Sequence, residues 1–258
     1  MSDLALAAFA AETRGHVVEM PRERRFERFR RGFDEASYRA GLQADGLRFL
    51  GRRDGGYPAL LRELHDPPAG LFVRGSADVE LLARPAVAVV GARACSSYGA
   101  QVARLLGREL AAAGLVVISG LARGVDGEAH RGALEAKGTT TAVLGCGIDR
   151  DYPAAHAQLA ARICKNGLVV SEYAPGVEPA PWRFPARKGP SPTAMGNGAF
   201  LRPHPCRRGG QPVGWCGPGV VPHLERRRRW GVDADNSVAA VVRASSDAVG
   251  PPTLEAGP

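Results

Sequence analysis

Three stretches of this chain set glycine or serine beside an arginine directly after a short apolar run. Gly91-Ala92-Arg93-Ala94-Cys95-Ser96 follows the run 86–90, Ser119-Gly120-Leu121-Ala122-Arg123-Gly124 follows 115–118, and Gly145-Cys146-Gly147-Ile148-Asp149-Arg150 follows 141–144. Glycine permits tight turns and lets a ligand approach the backbone. Ser96 or Ser97 can cap a helix that begins there, and the free amides of a helix start attract phosphate. Arginine adds a planar, permanently charged fork that fits two phosphate oxygens. The chemistry on offer is the binding of phosphate groups, and the plainer alternative is a capped strand-to-helix turn with a surface arginine. The loop lacks the GxGxxG fingerprint and no acidic ribose-binding residue follows the second run, so spacing alone leaves both readings open.

Other reactive side chains carry a plainer reading. Asp126 is placed to cap the helix that begins beside it, and His130, four residues on, shares its helix face, which predicts a structural Asp–His contact. Cys146 reads as a small packed residue, with no base near it in sequence. The five cysteines form no CxxC pair, so neither a zinc site nor a disulfide scaffold is expected, and a reducing compartment fits. No catalytic residue, metal or cofactor is assigned.

The elements that must position the arginine loops follow from the apolar runs. Runs 86–90, 115–118, 141–144 and 168–170 are short, largely β-branched and bounded by glycine, as in strands buried on both faces. Between them, 97–113, 126–137 and 154–165 are each long enough for a helix of about three turns or more. Such alternation predicts an α/β fold, a Rossmann-like doubly wound parallel sheet with right-handed crossovers. Ligands in such sheets bind outside the carboxyl ends of the strands, where all three arginine loops fall.

Either side of this core the composition changes. Residues 1–56 read as a helical lead-in, with Phe26, Phe29 and Phe33 spaced for one helix face and Arg24, Arg25, Arg28, Arg30 and Arg31 around them, read as a solvated face. The α/β domain is expected over 57–188. Residues 189–258 hold 11 glycines and 10 prolines, about 30%, a content that predicts an irregular tail, with Ser237 to Val242 as its one short candidate strand or helix. The formal charge of +8 suits a polyanion, although 31 of the 34 basic residues are arginine, a bias that GC-rich coding also produces. No basic n-region precedes the apolar stretch 4–11, and no run nears the roughly 18 residues of a membrane span, so a cytoplasmic protein with no membrane partner is expected.

The order of motifs, YPALL at 57, DPP at 66, LFVRG at 71, VGARACSSYG at 90, SGLARGVDGEAH at 119, LGCGIDRDYP at 144, VSEYAPG at 170 and FPAR at 184, resembles the DNA-processing protein A (DprA/Smf) family over residues 57–187. The resemblance implies an extended Rossmann fold that binds single-stranded DNA in a basic pocket, forms a homodimer, and hands incoming DNA to the RecA recombinase during natural transformation, with no enzymatic turnover. Carried over by position, Gly91 and Arg93 match the phosphate-gripping turn, Ser119, Gly120 and Gly124 match the second loop, and Phe184, Pro185 and Arg187 match the start of an F-P-x-R-N-R motif. With Ser96 and Arg123 from the loops above, these form the expected DNA-binding set. Departures are Ala92 where the family has Ser or Thr, Ala154 where a basic residue often follows Tyr-Pro, and Lys188-Gly189 in place of Asn-Arg. After Arg187 the resemblance stops, as a lost or frame-shifted C-terminal part of the domain would produce, and with it go the expected dimer and recombinase surfaces. The alternative reading is a lysine-decarboxylase-like (LOG) phosphoribohydrolase of the same layout, whose P-G-G-x-G-T-x-x-E signature is absent here.

Overall fold

The structure, a computed structural model, describes residues 2–12, 17, 19–180, 207–208, 211–212 and 238–241. Most of the tail expected to be irregular lies outside the described residues. The chain opens with three helices, α1 (Asp3–Glu12), α2 (Arg24–Gly32) and α3 (Glu35–Ala44). Asp34 starts α3 by accepting the Ser37 amide at 3.1 Å, a capping bond that satisfies a donor with no partner inside the helix. Phe26, Phe29 and Phe33 do share a face. Phe9 of α1 meets Phe26 at 5.3 Å and Phe29 at 5.4 Å between ring centroids, and the ladder continues Phe29–Phe33 and Phe33–Tyr38, both at 5.2 Å.

The α/β core follows. It comprises β1 (Leu47–Gly51), α4 (Ala59–Arg62), β2 (Gly70–Arg74), β3 (Ala86–Gly91), α5 (Ser97–Ala112), β4 (Val116–Ser119), α6 (Val125–Glu135), β5 (Thr140–Val143), α7 (Ala157–Asn166) and β6 (Leu168–Ser171). Short strands β7 (Arg207–Arg208) and β8 (Gln211–Pro212) pair with each other, and β9 (Val238–Val241), inside the stretch singled out in the tail, runs antiparallel to β3. Spatial order in the main sheet is β1-β2-β6-β5-β4-β3-β9. Strands β3 to β6 are parallel, in the register Val87↔Val117, Val117↔Thr140 and Ala142↔Val169.

The sheet is mixed, because β1 and β2 add antiparallel strands beyond β6. Strand β1 lies before residue 57 yet pairs with β2 along its whole length, so the lead-in and the main domain share one sheet. On one face, Val87, Val89 and Val117 pack under α5 and α6, while Ala142 and Val169 pack under α7 and α1. On the other, Val116, Ile118, Val143, Leu168 and Val170 meet Tyr57, Leu61, Leu81 and Leu82 from the segment before β3. Burying each such aliphatic side chain stabilises the fold by about 1.5–3 kcal/mol. Helices α5 and α6 touch backbone to backbone: a Cβ on Gly107 would sit 2.1 Å from the Ala129 carbonyl oxygen, and one on Gly132 would sit 1.9 Å from that of Arg104. This contact holds the starts of both helices, and the loops that feed them, at a fixed spacing.

Candidate nucleic-acid interface

Because β3, β4, β5 and β6 are parallel, the loops that leave them share one edge of the sheet. In the first loop Ser96, rather than Ser97, is the cap: its hydroxyl oxygen accepts the Gly99 amide at 3.2 Å and closes the start of α5. Arg93 is exposed in front of that helix start. The second loop lies directly against the first. Gly124 has φ +75°, the Val125 amide donates to the Ala92 carbonyl at 3.2 Å, and a Cβ on Gly124 would fall 2.3 Å from that oxygen and 2.7 Å from the carbonyl oxygen of Arg93. Only glycine fits there, and the fit brings exposed Arg93 and exposed Arg123 to one junction beside the start of α5. Arg123 makes no ion pair among the described residues.

The rest of the second loop is held from below. Ser119 is fully buried and its hydroxyl donates to the Val89 carbonyl at 2.6 Å, so it ties β4 to β3 beneath the loop. Gly120 is buried beside it. Leu121 adopts φ +57°, a left-handed conformation costly for a side chain with a Cβ, and such strain persists only where surroundings enforce it. Its side chain is buried, and its carbonyl accepts from His156 Nδ1 at 2.9 Å, which fixes the tautomer with hydrogen on Nδ1. Asp126 accepts the Ala122 amide at 3.3 Å through Oδ2; the residue at the start of α6 is Gly124, so Asp126 braces the loop instead of capping the helix from outside.

The expected Asp126–His130 contact is not formed. His130 Nδ1 meets Thr140 Oγ1 at 2.7 Å, and because that hydroxyl donates onward to the Val117 carbonyl at 2.6 Å, Nδ1 carries the hydrogen. Burial, with the charges of His156 and Arg131 behind it, pushes the His130 pKa down to about 3, so the ring is neutral. Its Nε2 has no hydrogen-bond partner among the described residues. His130 is a core residue linking α6 to β5.

The third arginine is used differently. Arg150 pairs with Glu178 at 2.7 Å and with Asp149 at 3.8 Å, and reaches the Gly176 carbonyl at 3.5 Å. Backbone bonds from Gly147 to Val177 (2.8 Å) and Ile148 to Tyr173 (3.3 Å), with Gly176 donating to Asp149 Oδ1 (2.9 Å), fuse the loops after β5 and β6 into one unit. Cys146 is buried, as expected, and its carbonyl accepts from Ser171. Phe184 and Arg187 lie outside the described residues. Among the described residues no cluster of His, Cys, Asp and Glu is arranged to hold a metal ion, and no helix is long and apolar enough to cross a membrane.

Sequence reasoning missed Leu121, His156 and Gly127. His156 sits 35 positions from the carbonyl it holds, and a Cβ on Gly127 would lie 2.6 Å from the His156 ring, so no local pattern links the three.

A model of the family described as DNA recombination-mediator protein A matches residues 48–189, more than half of the chain. The chain belongs to that family. The DNA processing protein DprA of Streptococcus pneumoniae is 47% identical over 131 residues, which cover 51% of this chain and 45% of that protein. The X-ray structure of DprA from the same organism matches with a TM-score of 0.58 at 37% identity, covering 67% of this chain and 59% of that one. A structure of DNA processing protein A from Helicobacter pylori, reported for its single-stranded DNA binding mode, matches with a TM-score of 0.51 at 33% identity, over 58% of this chain and 66% of that one. The chain thus spans less than half the length of the Streptococcus relative. All three matches place it within the DprA/Smf α/β fold.

Proposed function

We propose that this DprA/Smf-family chain binds single-stranded DNA along the carboxyl-end edge of β3 and β4, with Arg93 and Arg123 as the phosphate clamps and Gly91, Gly120 and Gly124 shaping the backbone they sit on. Ser96 serves by capping α5, and Ser119 by holding the second loop; Phe184 and Arg187 extend the set by resemblance. The carrying observation is the glycine-only contact of Gly124 with Ala92 and Arg93, which brings the backbones of two exposed arginines and a capped helix start to one junction. A flexible strand can thread such a rim phosphate by phosphate, whereas a stiff duplex cannot follow it. The chain acts by binding without turnover, in the cytoplasm, delivering DNA to a RecA-type recombinase during DNA uptake, and the homodimer that the family resemblance implies is not expected of this chain.

Fluorescence anisotropy of labelled oligo-dT and of a blunt duplex across a salt series tests the reading. The expected result is tighter binding of the single strand and a steep fall with salt, about 0.7 in the logarithmic slope for each phosphate neutralised. Equal affinity for the duplex at matched ionic strength refutes it, and release of free base from nucleoside monophosphates would favour the phosphoribohydrolase reading instead.

A further inference from the structure

We infer that the N-terminal helices supply a nucleobase-stacking groove that continues the DNA path beyond the arginine junction; this rests on the single-stranded DNA reading above. The groove, of about 630 Å³, is lined by Phe29, Phe33 and Tyr38 on one wall and by Ala174 to Glu178 of the loop after β6 on the other. Its aromatic wall is a ladder: Phe29 and Phe33 stack with 28° between their planes, and Phe33 leans on Tyr38 at 5.2 Å. All three rings are only partly buried. Rings that serve the core alone, such as Phe26 and Phe72, are almost fully enclosed, whereas Phe29, Phe33 and Tyr38 pack against the core from its edge and keep part of their surface at the groove.

Two features select a nucleic-acid strand as the occupant. First, the groove is continuous with the rim. The loop after β6 forms its far wall, and Arg150 and the Gly147, Ile148 and Gly176 amides bind that loop to the one after β5, which neighbours the arginine junction. Three strand spacings separate the ends of β3 and β6, roughly 14 Å, or about four nucleotides at the 3.4 Å rise of a stacked strand. Second, the charge is complementary. Exposed Arg25 and Arg30 flank the aromatic face of α2 at helical spacing, with Arg24, Arg28 and Arg31 on its far side; among the described residues Glu27 pairs with Arg30 and Arg31, and Arg150 neutralises Glu178 on the facing wall. Aromatic faces beside a basic surface make the combination that holds single strands without reading sequence.

The experiment compares dT4 and dT12 on the full chain, wild type against Phe33→Leu, which keeps apolar bulk but removes the π-face, and Phe33→Trp, which restores it. Phe33→Leu is expected to weaken dT12 about tenfold, in line with one lost stacked base, while leaving dT4 and thermal melting unchanged, and Phe33→Trp to recover the loss. A dT12 with abasic sites at its outer positions should bind wild type as weakly as intact dT12 binds Phe33→Leu. Should Phe33→Leu melt early, Tyr38→Leu serves with the same expectations. Unchanged dT12 affinity in a folded variant overturns the groove, as does a change in oligomeric state with DNA binding intact, which would assign the groove to a second copy. Loss of dT4 binding in Arg93→Ala with no effect of Phe33→Leu removes the groove alone, whereas no loss in either variant removes the rim reading and the groove with it.

Discussion

Replacing Gly124 with alanine should separate DNA binding from mere stability. The added Cβ would start 2.3 Å from the Ala92 carbonyl oxygen and 2.7 Å from that of Arg93, where ordinary contact begins near 3.4 Å, so the two loops must part by about 1 Å. That movement breaks the 3.2 Å bond from the Val125 amide to Ala92, worth about 0.5–1.5 kcal/mol, and forcing φ +75° on alanine adds about 1–3 kcal/mol of strain. For a domain of this size the sum lowers melting by roughly 5–15 °C. With Arg93 and Arg123 no longer able to address one stretch of backbone, at least one charge-assisted contact is lost, about 1.5–3 kcal/mol or ten- to a hundredfold in affinity for oligo-dT. Gly114→Ala is the matched control: Gly114 also has positive φ, +81°, but nothing lies within 4 Å of its Cβ position and it sits at the far end of α5. It should cost stability through strain alone and leave affinity unchanged. Anisotropy read below both melting temperatures decides the matter, and a folded Gly124→Ala chain that binds like wild type, or a Gly114→Ala chain that binds as poorly as Gly124→Ala, refutes the argument.

Three further outcomes follow from the same geometry. Arg93→Ala should weaken oligo-dT binding about tenfold or more and lower the logarithmic salt slope by about 0.7, with melting unchanged because the side chain is exposed; unchanged affinity excludes it from the site. His130 titrates near 6.5 when unfolded and at about 3 when folded, so between those values the unfolded chain holds the extra proton and stability falls as pH falls, by up to about 1.4 kcal/mol per pH unit, with no contribution above 6.5. Urea unfolding from pH 7 to pH 4 should show that acid limb flattened in His130→Gln, and an identical limb would mean that other groups set it. Gly132→Ala drives a methyl group against the Arg104 carbonyl 1.9 Å away and should cost about 3 kcal/mol, read as an early thermal transition, whereas an unaltered transition would show that α5 and α6 slide apart freely.

The parts of this molecule legible in its sequence are those fixed by short-range physics. Buried, β-branched runs between glycines can only be central strands, and once they alternate with helices the loops bearing Arg93 and Arg123 must share an edge, which is where they lie. What was not legible depends on pairings across distance. Arg150 occupies the same kind of loop as Arg93 and Arg123, but partners 26 and 28 residues onward, Gly176 and Glu178, turn it from a ligand contact into a fastener, and nothing in the local pattern separates the two uses. Ser119 looks like a hydroxyl offered to phosphate until the register of β4 against β3 sets it beneath the Val89 carbonyl. Strand β1 falls inside the expected helical lead-in because Leu47-Arg48-Phe49-Leu50-Gly51 does not alternate apolar with polar residues; only pairing with β2 makes them a strand. Most telling is Leu121, whose left-handed backbone a sequence reader assigns to one of the neighbouring glycines. It is leucine because a buried side chain below and a histidine 35 residues away hold the conformation together, so the loop that carries Arg123 is set before any ligand arrives and binding need not supply the ordering cost.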